Sequence, residues 1–286
     1  MGTSSIYGGP PNSNPKDNPL LPNDFDFDEN DKHEEDATEE GNNEEDDNSQ
    51  NEGDTEENNT EESDPPKEVS WRDAKNYMAK LASGTYKDKR RAVSNHIKAY
   101  GGAKAASKTA KSGVGTVIGL GNFANKVNSS SFRTTLEEYN IDYKDKSPRE
   151  VLNELTNLIA PVPITKDDSI ARKALILTLE YIYEMLDEEN MDYDSIDKNA
   201  FNLMIPKFIE NYIYERIIND LGSRIELNSD TPQEAMSLET ELKEYINAKV
   251  EIAFKGKDFS KINFNDATTQ NKVESLINQC YTLMEE

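Results

Sequence analysis

The feature that most limits what this chain can fold into is a low-complexity run of Glu, Asp and Asn over residues 23–66. Between Asp24 and Asp64 the run holds 21 acidic residues and a single base, Lys32. Such a run cannot bury enough apolar surface to offset the entropy lost on folding, and its like charges repel one another. We therefore predict a disordered acidic arm over residues 23–66, followed by a folded domain over residues 67–286.

The poverty in cysteine and histidine excludes several kinds of chemistry. The only cysteine, Cys280, rules out a disulfide framework, and with two histidines, His33 and His96, it cannot complete a Cys/His zinc site. No Gly-x-Ser-x-Gly motif is present, and the glycines of 113–121 lack the Gly-Lys-Ser/Thr step of a phosphate-binding loop. We expect no catalytic residues, no metal and no cofactor, and hence no enzyme.

Targeting signals are also missing from the sequence. No run reaches 18 apolar residues, and no basic region followed by an apolar stretch stands at the N-terminus. We expect a cytoplasmic protein without a membrane partner.

The first segment, residues 1–22, contains five of the 12 prolines and is interrupted by apolar residues. Because proline removes backbone donors, regular structure is not expected here. Ile6, Tyr7, Leu20 and Leu21 are typical of a short motif that docks on a partner, but they also fit an incidental flexible terminus. We predict a flexible motif peptide.

Helical spacing dominates the rest of the chain, and we predict an all-α array of about nine or ten helices. Ser70, Ser147-Pro148 and Thr231-Pro232 are typical helix starts. We also predict one helix over 103–112, and a helix that has Pro206 in its first turn. Glycines 115, 119 and 121 are predicted to let another helix approach closely.

The folded domain divides by charge into a basic sub-region, residues 67–128, and an acidic helical array, residues 129–286. From Pro65 to Asn128 there are 13 Lys and Arg against three acids. This excess is consistent with phosphate contacts to nucleic acid, with the acidic arm folding back, with an acidic protein partner, or with an ordinary solvated helix face. The attached polyanion argues against free nucleic-acid binding, because it would compete.

Three stretches of the sequence carry a family resemblance. They are MGTSSIYGGPP at the N-terminus, WRDA followed by MAKLASG from Trp71, and RRAVSNHIKAYGGAKAA from Arg90. Together with IARKA and FIENYIYERI further on, they resemble the QatB family of the four-gene Qat anti-phage defence system. The resemblance covers residues 1–22 and 69–286.

This resemblance implies a non-enzymatic component that acts with a QueC-like enzyme (QatC-type), an ATPase (QatA-type) and a TatD-like nuclease (QatD-type). From this resemblance we hypothesise that Met1–Pro11 is a substrate tail for the QueC-like partner, with Gly2, exposed once Met1 is removed, as the acceptor for modification. Myristoylation is not indicated, because the required pattern fails at Ile6. The recognition residues would be Thr3, Ser4, Ser5, Tyr7, Gly8, Gly9 and Pro10.

Two functional hypotheses follow from the sequence. In the first, a helical adaptor presents its N-terminal tail to the QueC-like partner. In the alternative, a regulatory protein binds nucleic acid through basic helices within 72–111, with the acidic arm as autoinhibitor. The candidate surface for a partner or nucleic acid comprises Trp71, Arg72, Arg90, Arg91, Lys98, Tyr100, Gly101 and Gly102.

Overall fold

A computed structural model describes residues 69–184 and 198–286 of the chain. Within these residues there are ten α-helices and no strand, which confirms the predicted all-α fold. The predicted motif peptide and acidic arm lie outside the described residues. The helices are α1 (Trp71–Ala82), α2 (Lys89–Ala99), α3 (Ala103–Lys108), α4 (Lys111–Ser129), α5 (Phe132–Glu138), α6 (Pro148–Ile159), α7 (Lys166–Tyr183), α8 (Lys198–Asn228), α9 (Pro232–Phe254) and α10 (Thr269–Glu285), with a 3-10 turn at Phe259–Lys261.

The predicted helix starts are confirmed by their caps. The hydroxyl of Ser70 accepts from the backbone of Asp73, whose carboxylate accepts from the Ser70 backbone in return. Ser147 forms the same reciprocal box at the start of α6, and Thr231 caps α9. Each cap satisfies backbone donors that a helix start otherwise leaves unpaired.

The predicted single helix over 103–112 is wrong, because α3 ends at Lys108 and α4 begins at Lys111. The break is set by a distant helix. The Ser112 amide donates to the Asp167 carboxylate (2.8 Å) and the Ser112 hydroxyl to that of Asp168 (2.7 Å). Both carboxylates belong to the first turn of α7, so a tertiary contact starts α4 where local composition favours continuation.

The placement of Pro206 in a first helical turn is also wrong. Helix α8 begins at Lys198, and Pro206 lies inside it. An internal proline costs about 3 kcal/mol, since it lacks an N–H and crowds the preceding turn. Met204 and Ile205, just before it, are fully buried, and burial of such side chains contributes about 1.5–3 kcal/mol each. Core burial therefore offsets the proline and extends the helix.

Helix α8 is the central element of the described fold and packs against α1, α4, α7 and α9. Its inward side chains, from Phe208 to Ile225, are almost completely buried. Helix α4 approaches α8 through Gly113, where an added Cβ would lie 2.5 Å from the ring of Tyr212. None of the helices in the described ranges is both long and apolar enough to cross a membrane.

The prediction that glycines of α4 let another helix approach is confirmed at Gly119, where an added Cβ would lie 3.0 Å from Ile159 of α6. At Gly121 the close neighbour is Phe264, 2.6 Å from the added Cβ, and it belongs to a turn, so the prediction of a helix there is wrong. Gly115 faces open space, with no atom within 4 Å of the added Cβ.

Candidate partner-binding surface

Ten exposed cations lie on α1, the segment between α1 and α2, α2, α3 and the start of α4. Of these, only Arg90 makes an ion pair with another described residue, at 3.7 Å from Asp88. The remainder keep their charge available to a partner. We call this set the basic face; its members are Arg72, Lys75, Lys80, Lys87, Arg90, Arg91, Lys98, Lys104, Lys108 and Lys111.

Two tyrosines stand at the corner of the basic face, where α1 turns into α2. The rings of Tyr77 and Tyr86 lie 4.8 Å apart at an angle of 39°. Lys80 lies over the ring of Tyr86, and the guanidinium of Arg91 over the ring of Tyr77, each 5.4 Å from the centroid. The corner therefore combines aromatic surface with positive charge.

Beneath the basic face, a polar cluster joins helices that are distant in sequence. Asp220 of α8 accepts hydrogen bonds from His96 Nε2 (2.9 Å), the Tyr100 hydroxyl (2.8 Å) and Lys166 Nζ (2.8 Å). Trp71 packs edge-on against both His96 and Tyr100, with centroids 5.6 and 4.9 Å away. Side chains from α2, its C-terminal end, α7 and α8 thus meet at one carboxylate, and α1 packs on this cluster through Trp71.

The charge states of this cluster follow from its burial and its hydrogen bonds. Burial disfavours ionisation of Asp220, but the bonds from His96, Lys166 and Tyr100 outweigh it and hold the pKa of that carboxyl well below its usual range. Burial lowers the pKa of His96, although Asp220 opposes the shift. The neutral imidazole donates from Nε2, and Nδ1 is buried without a hydrogen-bond partner among the described residues.

A second internal group surrounds Arg216 of α8, which is 3% exposed. Its guanidinium donates to the Ala106 carbonyl (2.9 Å), the Tyr281 hydroxyl (3.0 Å) and Thr109 Oγ1 (2.7 Å). It also lies 4.5 Å from the centroid of the Tyr100 ring. The charge is thus held by neutral acceptors and ring faces that fasten α3 and α10 to α8.

The structure separates the sequence-predicted surface residues into two groups. Arg72, Arg90, Arg91 and Lys98 are exposed and belong to the basic face. Four others serve the interior or the backbone. Trp71 and Tyr100 are half-buried in the Asp220 cluster, and Gly101 and Gly102 both have φ of 90°, which favours glycine.

The N-terminal candidates lie outside the described residues, so their geometry is not part of the site. They are Gly2, Thr3, Ser4, Ser5, Tyr7, Gly8, Gly9 and Pro10.

Sequence reasoning missed Asp220, Lys166 and Arg216, and treated His96 as a packing residue on a helix. For Asp220 and Arg216, the sequence signal is a charged residue that interrupts the apolar face of a helix, whereas Lys166 is an exposed residue at the start of α7. Arg216 shows this signal between Tyr212 and Ile217, which are both fully buried. Within the described residues, no group of three or more His, Cys, Asp or Glu side chains could hold a metal ion.

The fold and the surface together define a class of protein: an all-α protein with an open cationic face above a sealed polar interior. A family model described as Qat anti-phage system associated protein QatB matches residues 101–284. The chain therefore belongs to the QatB family and is a component of the Qat anti-phage system.

The matched range begins at Gly101 and contains α3 to α9 and all of α10 except its last residue, whereas α1 and α2 precede it. A search of curated proteins and a search of solved structures each gave no match.

Proposed function

We propose that this chain is a non-enzymatic adaptor of the Qat system. Its helical body presents the N-terminal peptide to a QueC-like partner enzyme, with Gly2 as the acceptor after removal of Met1. The observation that carries the proposal is the family match over the helical body, residues 101–284. The ATPase and the TatD-like nuclease of the system are the further proposed partners.

The environment of the two most reactive side chain types supports an adaptor. Cys280 is fully buried, and burial raises the pKa of its thiol to about 12, so it stays protonated. His96 is 1% exposed, and its Nε2 is committed to Asp220. Neither group can meet a substrate from solution, which favours chemistry by a partner.

The acceptor role of Gly2 is tested by intact-mass and peptide-mass measurement of the chain co-expressed with its genomic neighbours. We expect a mass increase on the N-terminal peptide that requires an active QueC-like enzyme. Gly2→Pro removes the primary amine at the new N-terminus and should abolish the increase. Asn12→Ala, in the same segment but outside the recognition residues, is the matched control, and an unmodified Gly2 in cells where defence operates would refute the role.

The adaptor role is tested separately by partner capture. Deletion of residues 2–11 should abolish co-purification of the QueC-like enzyme, because it removes the presented peptide. Charge reversal at Arg90 and Arg91 should leave co-purification unchanged. If the deletion has no effect while charge reversal abolishes capture, the helical body and not the tail binds the partner.

A second candidate function is regulatory nucleic-acid binding. It is favoured by the exposed cations of the basic face, which, apart from Arg90, make no ion pair with another described residue. Phosphate contacts of this kind weaken steeply as salt rises. We expect binding to fall when Arg90 and Arg91 become Glu, and to rise when residues 24–64 are deleted, because the attached polyanion then no longer competes. Binding that is indifferent to salt and to both changes would contradict this function.

A further inference from the structure

We propose that the corner between α1 and α2 is a platform for single-stranded nucleic acid, where a base stacks on Tyr86 and a phosphate binds the adjacent cations. The proposal rests on the second candidate function and names its binding mode. It concerns the corner defined above by Tyr77, Tyr86, Lys80 and Arg91.

In the aromatic part of the platform, the Tyr86 ring is accessible to solvent and packs against the ring of Tyr77. Tyr86 is 38% exposed, in the turn between the two helices, and the half-buried ring of Tyr77 lies 4.8 Å behind it. Both rings line an open cleft of about 600 Å³. A second cleft, of about 470 Å³, shares Tyr86 and Lys87 with the first. Because Asp230, Glu234 and Glu241 also line the second cleft, a strand that stacks on Tyr86 should continue along the first cleft.

The cationic part of the platform lines the same cleft. Lys87 and Arg91 both contribute to its wall, and Lys80 lies over the Tyr86 ring. The single carboxylate in that wall, Asp88, accepts the backbone amides of Arg90 (3.1 Å) and Arg91 (3.4 Å) at the start of α2. Because two cations, Lys87 and Arg91, line the cleft beside this one carboxylate, the cleft presents net positive charge to a ligand.

The cations now over the rings do not block a base. A cation above an exposed ring contributes less than a stacked base does. A base can therefore displace Lys80 from Tyr86. The displaced Lys80 ammonium is then close to the phosphate of the same nucleotide. Movement of Lys80 thus allows both the stacking of the base on Tyr86 and an ion pair between Lys80 and the phosphate.

The aromatic pair favours nucleic acid over an acidic peptide as the occupant. A polyanionic peptide, including this chain's own acidic arm, needs only the cations of the basic face. Duplex ends apart, only a single strand offers free base faces to an exposed tyrosine. The dependence on Tyr86 thus separates the two occupants.

The test measures binding of fluorescein-labelled 15-mers of dT and of U by anisotropy over a salt series. It uses the full chain and a variant lacking residues 24–64, which lie before the first described core residue. We expect both single strands to bind, and more tightly to the deletion variant. Tyr86→Ala should weaken binding about tenfold in either background, whereas Tyr86→Trp should retain it.

Charge variants separate stacking from phosphate contact. Lys87→Glu should weaken binding and reduce the salt slope by about 1. Lys255→Glu changes the net charge equally at an exposed position outside the cleft and should have little effect. A labelled duplex of the same length should bind more weakly and show no dependence on Tyr86.

Two results would overturn the platform. If Tyr86→Ala binds like the unaltered chain while Lys87→Glu does not, the corner is a plain electrostatic surface suited to an acidic partner, and the second candidate function survives. If neither background binds any oligonucleotide, platform and second function both fail. The adaptor function is measured by partner capture and is independent of either outcome.

Discussion

Charged residues of the same type have different roles in the buried interior around α8 and on the exposed basic face. Arg216 is 3% exposed and has every contact within the protein, whereas the Arg90 side chain is 74% exposed, with a single long ion pair. A buried charge must be fully hydrogen-bonded to be tolerated, but an exposed one is solvated and free to bind. The comparison indicates that charge holds the fold together at α8 and remains available for a partner on α1 to α3.

The largest effect should come from removing the interior charge. Arg216→Met leaves the Ala106 carbonyl, Thr109 and Tyr281 without their donor, and should lower the free energy of unfolding by about 1–3 kcal/mol for each buried acceptor left unsatisfied. Arg90→Met, on the basic face, should change it by less than about 0.5 kcal/mol. Urea unfolding followed by the fluorescence of Trp71, the only tryptophan, measures both variants. Equal losses of unfolding free energy would contradict the proposed difference between the interior and the basic face.

The next effect sharpens the comparison within a single helix. Gly113→Ala places a methyl group 2.5 Å from the Tyr212 ring and should cost about 1–3 kcal/mol through overpacking. Gly115→Ala, two residues on and facing open space, should stabilise by about 0.4–1 kcal/mol, since alanine reduces the entropy of the unfolded chain. Thermal unfolding of the pair checks the inner and outer sides of α4; a stabilising Gly113→Ala would contradict the observed packing.

A smaller effect concerns the pH dependence of the interior cluster. Burial lowers the pKa of His96 below its ordinary value of 6.5. As pH falls below 6.5, the unfolded chain binds a proton that the folded chain refuses. Stability is therefore fully present above this value and decreases below it, by at most about 1.4 kcal/mol per pH unit.

His96→Gln keeps a donor near the Nε2 position without titrating in this range, and should flatten the dependence between pH 5 and 6.5 (about the range in which histidine titrates). His33→Gln, in the acidic arm, is the control and should leave the dependence unchanged. A His96→Gln profile identical to that of the unaltered chain would show that His96 does not control this loss.

The smallest effects should be found among exposed lysines. Lys98 of the basic face can be compared with Lys166, which is exposed but bonds to Asp220 of the interior. Lys98→Gln should leave stability within about 0.5 kcal/mol, because Lys98 makes no ion pair with a described residue. Lys166→Gln should cost more, because Lys166 donates to Asp220 at 2.8 Å while its own side chain is 62% exposed. Chemical unfolding measures the change in unfolding free energy for both variants. Equal changes would show that the bond from Lys166 to Asp220 does not stabilise the fold.

Local signals allowed a large part of the fold to be predicted. A cap such as Ser70 acts on backbone groups three residues away, so its effect can be read from neighbouring letters. The two errors in helix limits, at Ser112 and Pro206, both arose where packing against other helices decides the outcome. The residue types of the basic face could also be predicted, although the corner that brings Tyr77 and Tyr86 together could not.

By itself, the sequence determined the helical character of residues after 69, most helix starts and the concentration of cations in the first helices, since these depend on spacing and composition. Only the tertiary structure decided that His96, Tyr100 and Lys166 meet at Asp220, and that Arg216 is sealed between α3 and α10. His96 lies 124 residues from Asp220 along the chain. Contacts over such separations are fixed by how the helix faces pack around α8, which no local pattern specifies.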